Sequence, residues 1–277
     1  MNVKPYPDGC QRTHMKPTRV MSFNVRYDTA GDGVDGWPHR RRLVAGTIQY
    51  HNPDIIGVQE AMAHQLRELE VLLDGYEWVG DPRESVDAGG EHTAIGYRAE
   101  RFDCAATNTF WLSEQPAEPS SVGWDAAYPR VATWARLRDR DTDDDLLCLN
   151  THLDHQGADA RVEGIELVLD HLDSIAREAP AVVTGDFNCI VGEPAYERAE
   201  GHELPDGRTL VDARDTATVT HGPTTSRTDF HALLPEMGID HVFVSEDVAV
   251  DTRAVIADRD DDHYGSDHLP VVVDCEP

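Results

Sequence analysis

The chain has 277 residues, and no apolar stretch in it approaches the roughly 18 residues a bilayer-crossing helix needs, so a membrane-spanning helix is excluded. Acids number 52 against 24 bases, a formal net charge of -28, and no segment gathers into the basic stripe that captures nucleic acid electrostatically. The five cysteines, at positions 10, 104, 148, 189 and 275, are odd in number and lack C-x-x-C spacing, which supports neither a disulfide framework nor a cysteine zinc site.

Residues 1–14 lack pattern and read as an extension, and 15–277 as a single domain. The apolar run RVMSFN (19–24) predicts a first strand, followed by an Asp- and Gly-rich loop over 28–38. Leu43, Val44, Thr47 and Ile48 at helical spacing predict a helix over 37–52, and Met62, Leu66, Leu69, Leu72 and Leu73 a second over 62–73, with the strand DIIGVQE (54–60) between them. Strands follow at 93–98, 131–137 and 146–155, separated by loops at 114–129 and 139–145, with a further loop at 81–91. Val162, Ile165, Val168, Leu169, Leu172 and Ile175 form one stripe and predict the best helix, 159–178. The strands AVVTGDFN (181–188), IDHVFVS (239–245) and DHLPVVVD (267–274) complete the set, with a long loop at 201–226. Strands alternate with helices, and neither a repeat nor a linker interrupts them, which predicts one α/β domain.

Polar residues sit at one end of most strands. They terminate the apolar run in RVMSFN, DIIGVQE, LLCLNTHLDH and AVVTGDFN, and precede it in IDHVFVS and SDHLPVVV. If the last two strands run antiparallel to the others, Asn24, Glu60, His152, Asp186, Asn188, Asp240, Asp267 and His268 gather at one edge. Such an oxygen-rich cluster suits a hard cation, Mg²⁺ or Mn²⁺. Asp186 and Asn188, two apart, are expected to face the same way on a strand end. Taken singly, a G-D-x-N is commonly a turn and a Q-E a strand end or helix cap; their order along one chain carries the argument. A zinc site built on HLDH (152–155) would want a further His pair close upstream, which is absent. Trp37, Trp111, Trp124 and Trp134 read as packing residues rather than base-stacking platforms.

That order resembles the endonuclease/exonuclease/phosphatase superfamily, whose fold is similar to deoxyribonuclease I. The matching motifs are SFN (Asn24), QE (Glu60), TH (His152), GDFN (Asp186, Asn188), ID (Asp240) and SDH (Asp267, His268). FNVRYD, YRAERFD, TFWLSE, GWDAAYPRVATW and NTHLDHQGADAR resemble one bacterial and archaeal subgroup. The resemblance implies a four-layer α/β sandwich, with two packed mixed sheets flanked by helices, and divalent-metal-dependent hydrolysis of phosphate mono- or diesters; a nuclease of the same fold is the alternative. Two departures stand out: His241 follows Asp240 where the family usually has Tyr, and residues 220–237 match loosely.

On that resemblance Glu60 and Asp267 are the principal metal ligands, with Asn24 as a ligand or just behind them. Asp186 positions or deprotonates the attacking water, and Asn188 orients the water or the phosphate. His268, held by Asp240, is general base or phosphate stabiliser, and His152 donates to a nonbridging oxygen. Arg130 is a candidate phosphate contact, ahead of Arg26, Tyr97 and Glu91.

The acidity has its own reading. Asp accounts for 33 of the acids, and Lys4 and Lys16 are the only lysines. At ~1 M salt the Debye length is about 3 Å, so such a surface is screened. An acidic, lysine-poor surface resembles those of salt-loving archaea. The charge then describes the solvent and leaves nucleic acid open as a substrate. The N-terminus MNVKPYPDGCQRTH has no apolar core of a signal peptide, so a cytoplasmic location is expected, and a monomer is expected separately.

Overall fold

The computed structural model describes residues 16–84 and 90–277; the expected extension at 1–14 lies outside the described residues. In chain order the strands are β1 Thr18–Asn24, β2 Ile55–Met62, β3 Tyr76–Val79, β4 Glu91–Arg98, β5 Phe102–Trp111, β6 Val131–Asp139, β7 Asp145–His152, β8 Ala181–Asp186, β9 Leu210–Asp212, β10 Val219–His221, β11 Asp240–Ser245, β12 Ala249–Val255, β13 Arg259–Asp260, β14 His263–Tyr264 and β15 Val271–Glu276. The helices are α1 Trp37–His51, α2 Ala63–Leu72, α3 Ala158–Ala176, α4 Pro194–Ala199 and α5 Ala213–Thr216, with a 3-10 turn at Ala30–Asp35.

One sheet runs β10-β12-β15-β1-β2-β4-β3 and the other β5-β6-β7-β8-β11-β9, while β13 and β14 form a separate hairpin. Both large sheets are mixed: β1 is parallel to β2 and antiparallel to β15, and β8 is parallel to β7 and antiparallel to β11. The last two predicted strands therefore do run against their neighbours.

The central strands are apolar on both faces because both faces are covered. Val20, Ile55, Val182, Val271 and Val273 point between the sheets. Their alternates Met21, Phe23, Ile56, Val58 and Val272 pack under α1 and α2. Ala181 and Val183 face α3, which presents Ile165, Val168, Leu169 and Leu172. The result is four layers, helices outside and sheets within.

Toward one end the inter-sheet layer turns polar. Gln59 Nε2 donates to Asn150 Oδ1 at 2.7 Å and to Ser22 Oγ at 3.2 Å. Asn150 Nδ2 donates across the sandwich to the carbonyls of Val58 and Ala94, both at 2.9 Å. A Cβ at Gly57 would stand 2.3 Å from Thr184 Oγ1, so glycine lets the sheets close over this layer.

Some expectations need correction. The loop placed at 201–226 contains β9, α5 and β10. The final strand begins at Val271, because residues 267–269 instead pair with 226–228: Thr228 N donates to the Asp267 carbonyl and Leu269 N to that of Ser226. Among the described cysteines, 104, 148, 189 and 275 are free, and Cys148 and Cys275 fill the inter-sheet core.

Candidate active site

Register builds the centre of the site. His152 on β7 and Asp240 on β11 both pair with Asp186 on β8, so three adjacent strands present the three side chains in a row. His152 Nε2 lies 3.4 Å from Asp186 Oδ2. In the opposite sheet, Asn24 ends β1 beside Gln59 on β2. The Asn24 amide nitrogen donates to Glu60 Oε1 and to Asp186 Oδ2, both at 3.0 Å, and bridges the two sheets. Its oxygen accepts from the Arg26 backbone N–H at 3.0 Å.

Left-handed backbone gathers at these strand ends. Arg26, Glu60 and Asn188 have φ of 57°, 63° and 49°. Non-glycine residues enter that region at a cost of about 1–3 kcal/mol, which the surrounding structure must hold in place. The register of β2 shifts between Val58 and Ala61, and this bulge turns Glu60 toward Asn24. Glu60 Oε2 accepts from the Tyr27 N–H at 3.2 Å. Because β8 ends at Asp186, strand alternation does not set Asn188. Its backbone N–H donates to Asp186 Oδ1 at 2.9 Å, and its Nδ2 is tied to the Leu153 carbonyl at 3.0 Å. A turn, not the pleat, brings the Asn188 backbone against the Asp186 side chain.

Asp267 and His268 arrive on the segment before β15. Ser266 Oγ donates to the Asn24 carbonyl at 2.7 Å and docks that segment on β1. His268 Nδ1 donates to Asp240 Oδ2 at 2.8 Å, with both residues 1% exposed, and its Nε2 stands 3.5 Å from Asp186 Oδ2. Burial alone would lower the His268 pKa, but Asp240 and Asp186 outweigh it and raise it to about 9. Burial raises Asp186 to about 6, moderated by His268. His152 is held well below its ordinary value by burial and by Arg130, so it is a neutral imidazole.

Arg130 is buried beside this row. Its Nε donates to Asp154 Oδ2 at 3.2 Å, Nη1 lies 3.1 Å from His152 Nε2, and Nη2 lies 2.9 Å from His155 Nδ1. Glu91 pairs with Arg83 at 2.7 Å and is pushed up to about 7 by burial and by the charge of Glu60. Tyr97 does not belong here: it pairs with Ile55 at the far end of β2, and its hydroxyl donates to Glu77 at 2.7 Å.

One cation escapes sequence reasoning. Arg227 faces His268 across the 226–228 and 267–269 pairing, and its Nη1 contacts His268 Nε2 and lies 3.2 Å from Asp267 Oδ2. Arg26 approaches the same carboxylate at 3.9 Å. Arg227 lies in the stretch 220–237 that matches the family loosely, and no local pattern marks it. The other departure, His241, sits between Asp212 Oδ2 at 3.4 Å and the Cys189 carbonyl at 3.0 Å, packed on Phe187 and Tyr196.

Donor atoms of Glu60, His152 and Asp186 lie within 4.8 Å of one another, as do those of Asp186, Asp240 and His268. The donor set is carboxylate and imidazole without a thiol, which fits a divalent cation and a phosphoryl group better than a soft metal. Among the described residues no helix is long and apolar enough to cross a membrane.

Comparison with known proteins identifies the family and the fold. Residues 21–268 match the model of the Endonuclease/Exonuclease/phosphatase family. The chain is 33% identical to an endonuclease/exonuclease/phosphatase family protein from Bacteroides thetaiotaomicron, whose structure superimposes with a TM-score of 0.89 over 95% of this chain and 96% of that one. It is 34% identical to a mannosyl-6-phosphatase of the same species, with a TM-score of 0.87 over 93% of this chain and 99% of that one. Nocturnin from Drosophila melanogaster is 24% identical over 209 residues, which span 67% of this chain but 31% of that protein. The fold, the strand-end residues and the matched span together show that the chain belongs to the endonuclease/exonuclease/phosphatase family of phosphoester hydrolases.

Proposed function

We propose that this chain is a Mg²⁺- or Mn²⁺-dependent phosphoesterase whose substrate is a small phosphate ester of the sugar-phosphate class, with 15–277 acting as one domain. The observation that carries the reading is the row His152–Asp186–Asp240, with His268 fastened to Asp240 and facing Asp186. Arg26, Arg83, Arg130 and Arg227 each already face a carboxylate, at Asp32, Glu91, Asp154 and Asp267, so their charge is largely spent within the site, which favours a small ester over a long polyanion. The similarity to a mannosyl-6-phosphatase supports the same class.

Glu60 and Asp267 would hold the metal, and Asn24, whose nitrogen points at Glu60 and Asp186, keeps both carboxylates in position. When bound, the ion supplies positive charge to the phosphoryl oxygens. Asp186 orients the attacking water and accepts its proton. Asn188 aligns the water or the phosphate, its nitrogen already tied to Leu153. Asp240 fixes the His268 ring through Nδ1, so that Nε2 is presented to the phosphate. His152 donates to a nonbridging oxygen, with Arg130 beside it as a further phosphate contact.

A panel of hexose phosphates, bis-p-nitrophenyl phosphate, single-stranded DNA and RNA, assayed at high salt, tests this. EDTA should abolish activity, and Mg²⁺ or Mn²⁺ should restore it. Sugar phosphates should be turned over fastest. Full activity in metal-stripped protein would overturn the metal assignment, and preferred turnover of DNA or RNA would replace the substrate class with a nuclease.

A further inference from the structure

Asp35, His231 and His263 come from three separate segments and meet outside the row described above. Asp35 closes the 3-10 turn Ala30–Asp35, His231 lies in the turn after Thr228, and His263 lies on β14. Asp35 Oδ1 lies 3.5 Å from His231 Nε2 and also contacts His263 Nε2. The two imidazoles stand edge to face with centroids 4.2 Å apart, and all three donor atoms lie within 4.8 Å of one another. We propose that these residues form a second metal site, selective for a zinc-class ion, that clips three loops together at the rim of the catalytic site.

The chemistry differs from that of the catalytic cluster. Two imidazole nitrogens and one carboxylate oxygen suit Zn²⁺, Co²⁺ or Ni²⁺, whereas Mg²⁺ prefers all-oxygen surroundings. Zinc bonds of about 2.0–2.1 Å to nitrogen and oxygen place tetrahedral corners roughly 3.4 Å apart. The Asp35–His231 separation of 3.5 Å matches that edge, whereas Asp35 and His263 touch directly and would part to admit the ion. Three protein donors leave the fourth corner to water.

The backbone beneath the donors is anchored independently of them. Arg40 Nε donates to the Asp35 carbonyl at 2.9 Å, and its Nη1 to the Gly265 carbonyl at 3.1 Å. Tyr264 N donates to the Phe230 carbonyl at 2.8 Å, which joins the His263 and His231 segments directly. Asp229 Oδ1 accepts from the His231 N–H at 3.0 Å and holds that turn. Asp262 Oδ1 stands 3.6 Å from His263 Nδ1, where a carboxylate commonly orients a metal-bound imidazole, although a direct hydrogen bond would need a closer approach. The clipped loops also carry catalytic-rim residues. Asp32, three residues before Asp35, pairs with Arg26 at 3.0 Å, and Arg227 lies four residues before His231.

Co²⁺ is the probe, because four-coordinate Co²⁺ absorbs visibly and octahedral Co²⁺ hardly does. Untagged protein is titrated with Co²⁺ in a large excess of Mg²⁺, added to fill the oxygen-rich site proposed above. One equivalent should give an intense visible band that Zn²⁺ displaces, and Zn²⁺ should raise the melting temperature. His231→Ala and His263→Ala should each weaken Co²⁺ binding at least about 10–100-fold, the loss expected from removing even a supporting residue of such a site. Glu60→Gln and Asp267→Asn should leave the band intact. Far-UV circular dichroism verifies that each variant is folded, and His231→Gln serves if His231→Ala is not. No band, a band that survives in folded His263→Ala, or a band lost in Glu60→Gln would each overturn the site and leave the three residues as plain ion pairs.

Discussion

If Asp240 acts only by fixing His268, then Asp240→Asn and His268→Ala remove one and the same interaction. Asp240 Oδ2 lies 2.8 Å from His268 Nδ1, and both residues are 1% exposed, so solvent cannot replace either partner. A positioned acid–base group typically contributes about 10²–10⁴-fold, or about 2.7–5.4 kcal/mol at about 1.36 kcal/mol per decade. Each single variant should lose turnover within that range. Independent residues would give roughly 10⁴–10⁸-fold in the double variant, whereas residues acting as a unit give a double variant within about tenfold of the worse single. Steady-state kinetics on a chromogenic phosphoester at saturating Mg²⁺ reads both outcomes, with melting curves to show that all three variants are folded. Glu60→Gln is the contrast: raised Mg²⁺ should partly rescue it and should not rescue His268→Ala. Multiplicative losses in the double variant would refute the paired assignment.

The net charge of -28 predicts that the fold is most stable in molar KCl and loosens in dilute buffer, and a melting temperature unchanged or higher at low salt would remove the halophilic reading. Burial opposes ionisation of Asp212, but His241, the Arg214 N–H and the Tyr196 hydroxyl outweigh it, so its folded pKa lies below the ordinary value. Its stabilising effect is therefore complete above the unfolded pKa of about 3.9 and is lost as the pH falls through the folded value. Asp212→Asn should cost about 1–3 kcal/mol at pH 7 and progressively less below about pH 4 in urea unfolding, and a deficit constant with pH would contradict this. Gly57→Ala should destabilise by about 1–3 kcal/mol, because its Cβ would lie 2.3 Å from Thr184 Oγ1 and 2.7 Å from Asn150 Oδ1. Adding Thr184→Ala should recover part of that loss, and a neutral Gly57→Ala would mean that the sheets have room to separate there.

The strands that build the site were legible because they are buried on both faces. β1, β2, β7, β8 and β11 read as nearly continuous apolar runs. β5 escaped because its middle is exposed and its sequence FDCAATNTFW carries no Val, Ile or Leu. β12, AVDTRAV, is half covered, and β10 is fully exposed, so neither departs from a loop in composition. The same contrast governs the site. Asn24, His152, Asp186 and Asp240 are terminal residues of their strands, where the boundary between apolar and polar marks them, and Glu60 sits at the bulge near the end of β2.

Arg227, His231, His263 and Asp35 have no such boundary. Arg227 reaches His268 because residues 226–228 pair with 267–269, about forty positions along the chain, and a one-residue slip in that pairing would turn Arg227 away. Asp35 meets His231 and His263 because Arg40 and the Tyr264–Phe230 hydrogen bond draw three loops onto one rim. Each of these contacts is made by hydrogen bonds between segments distant in sequence, and none leaves a periodicity. Strand ends therefore carry the chemistry of the site, while its rim is set by loop-to-loop contacts. Substrate choice in this chain should follow the rim: loop changes at Arg227 should alter KM and preference among phosphoesters, while changes at Asp186 or Asp240 should lower kcat on all of them alike.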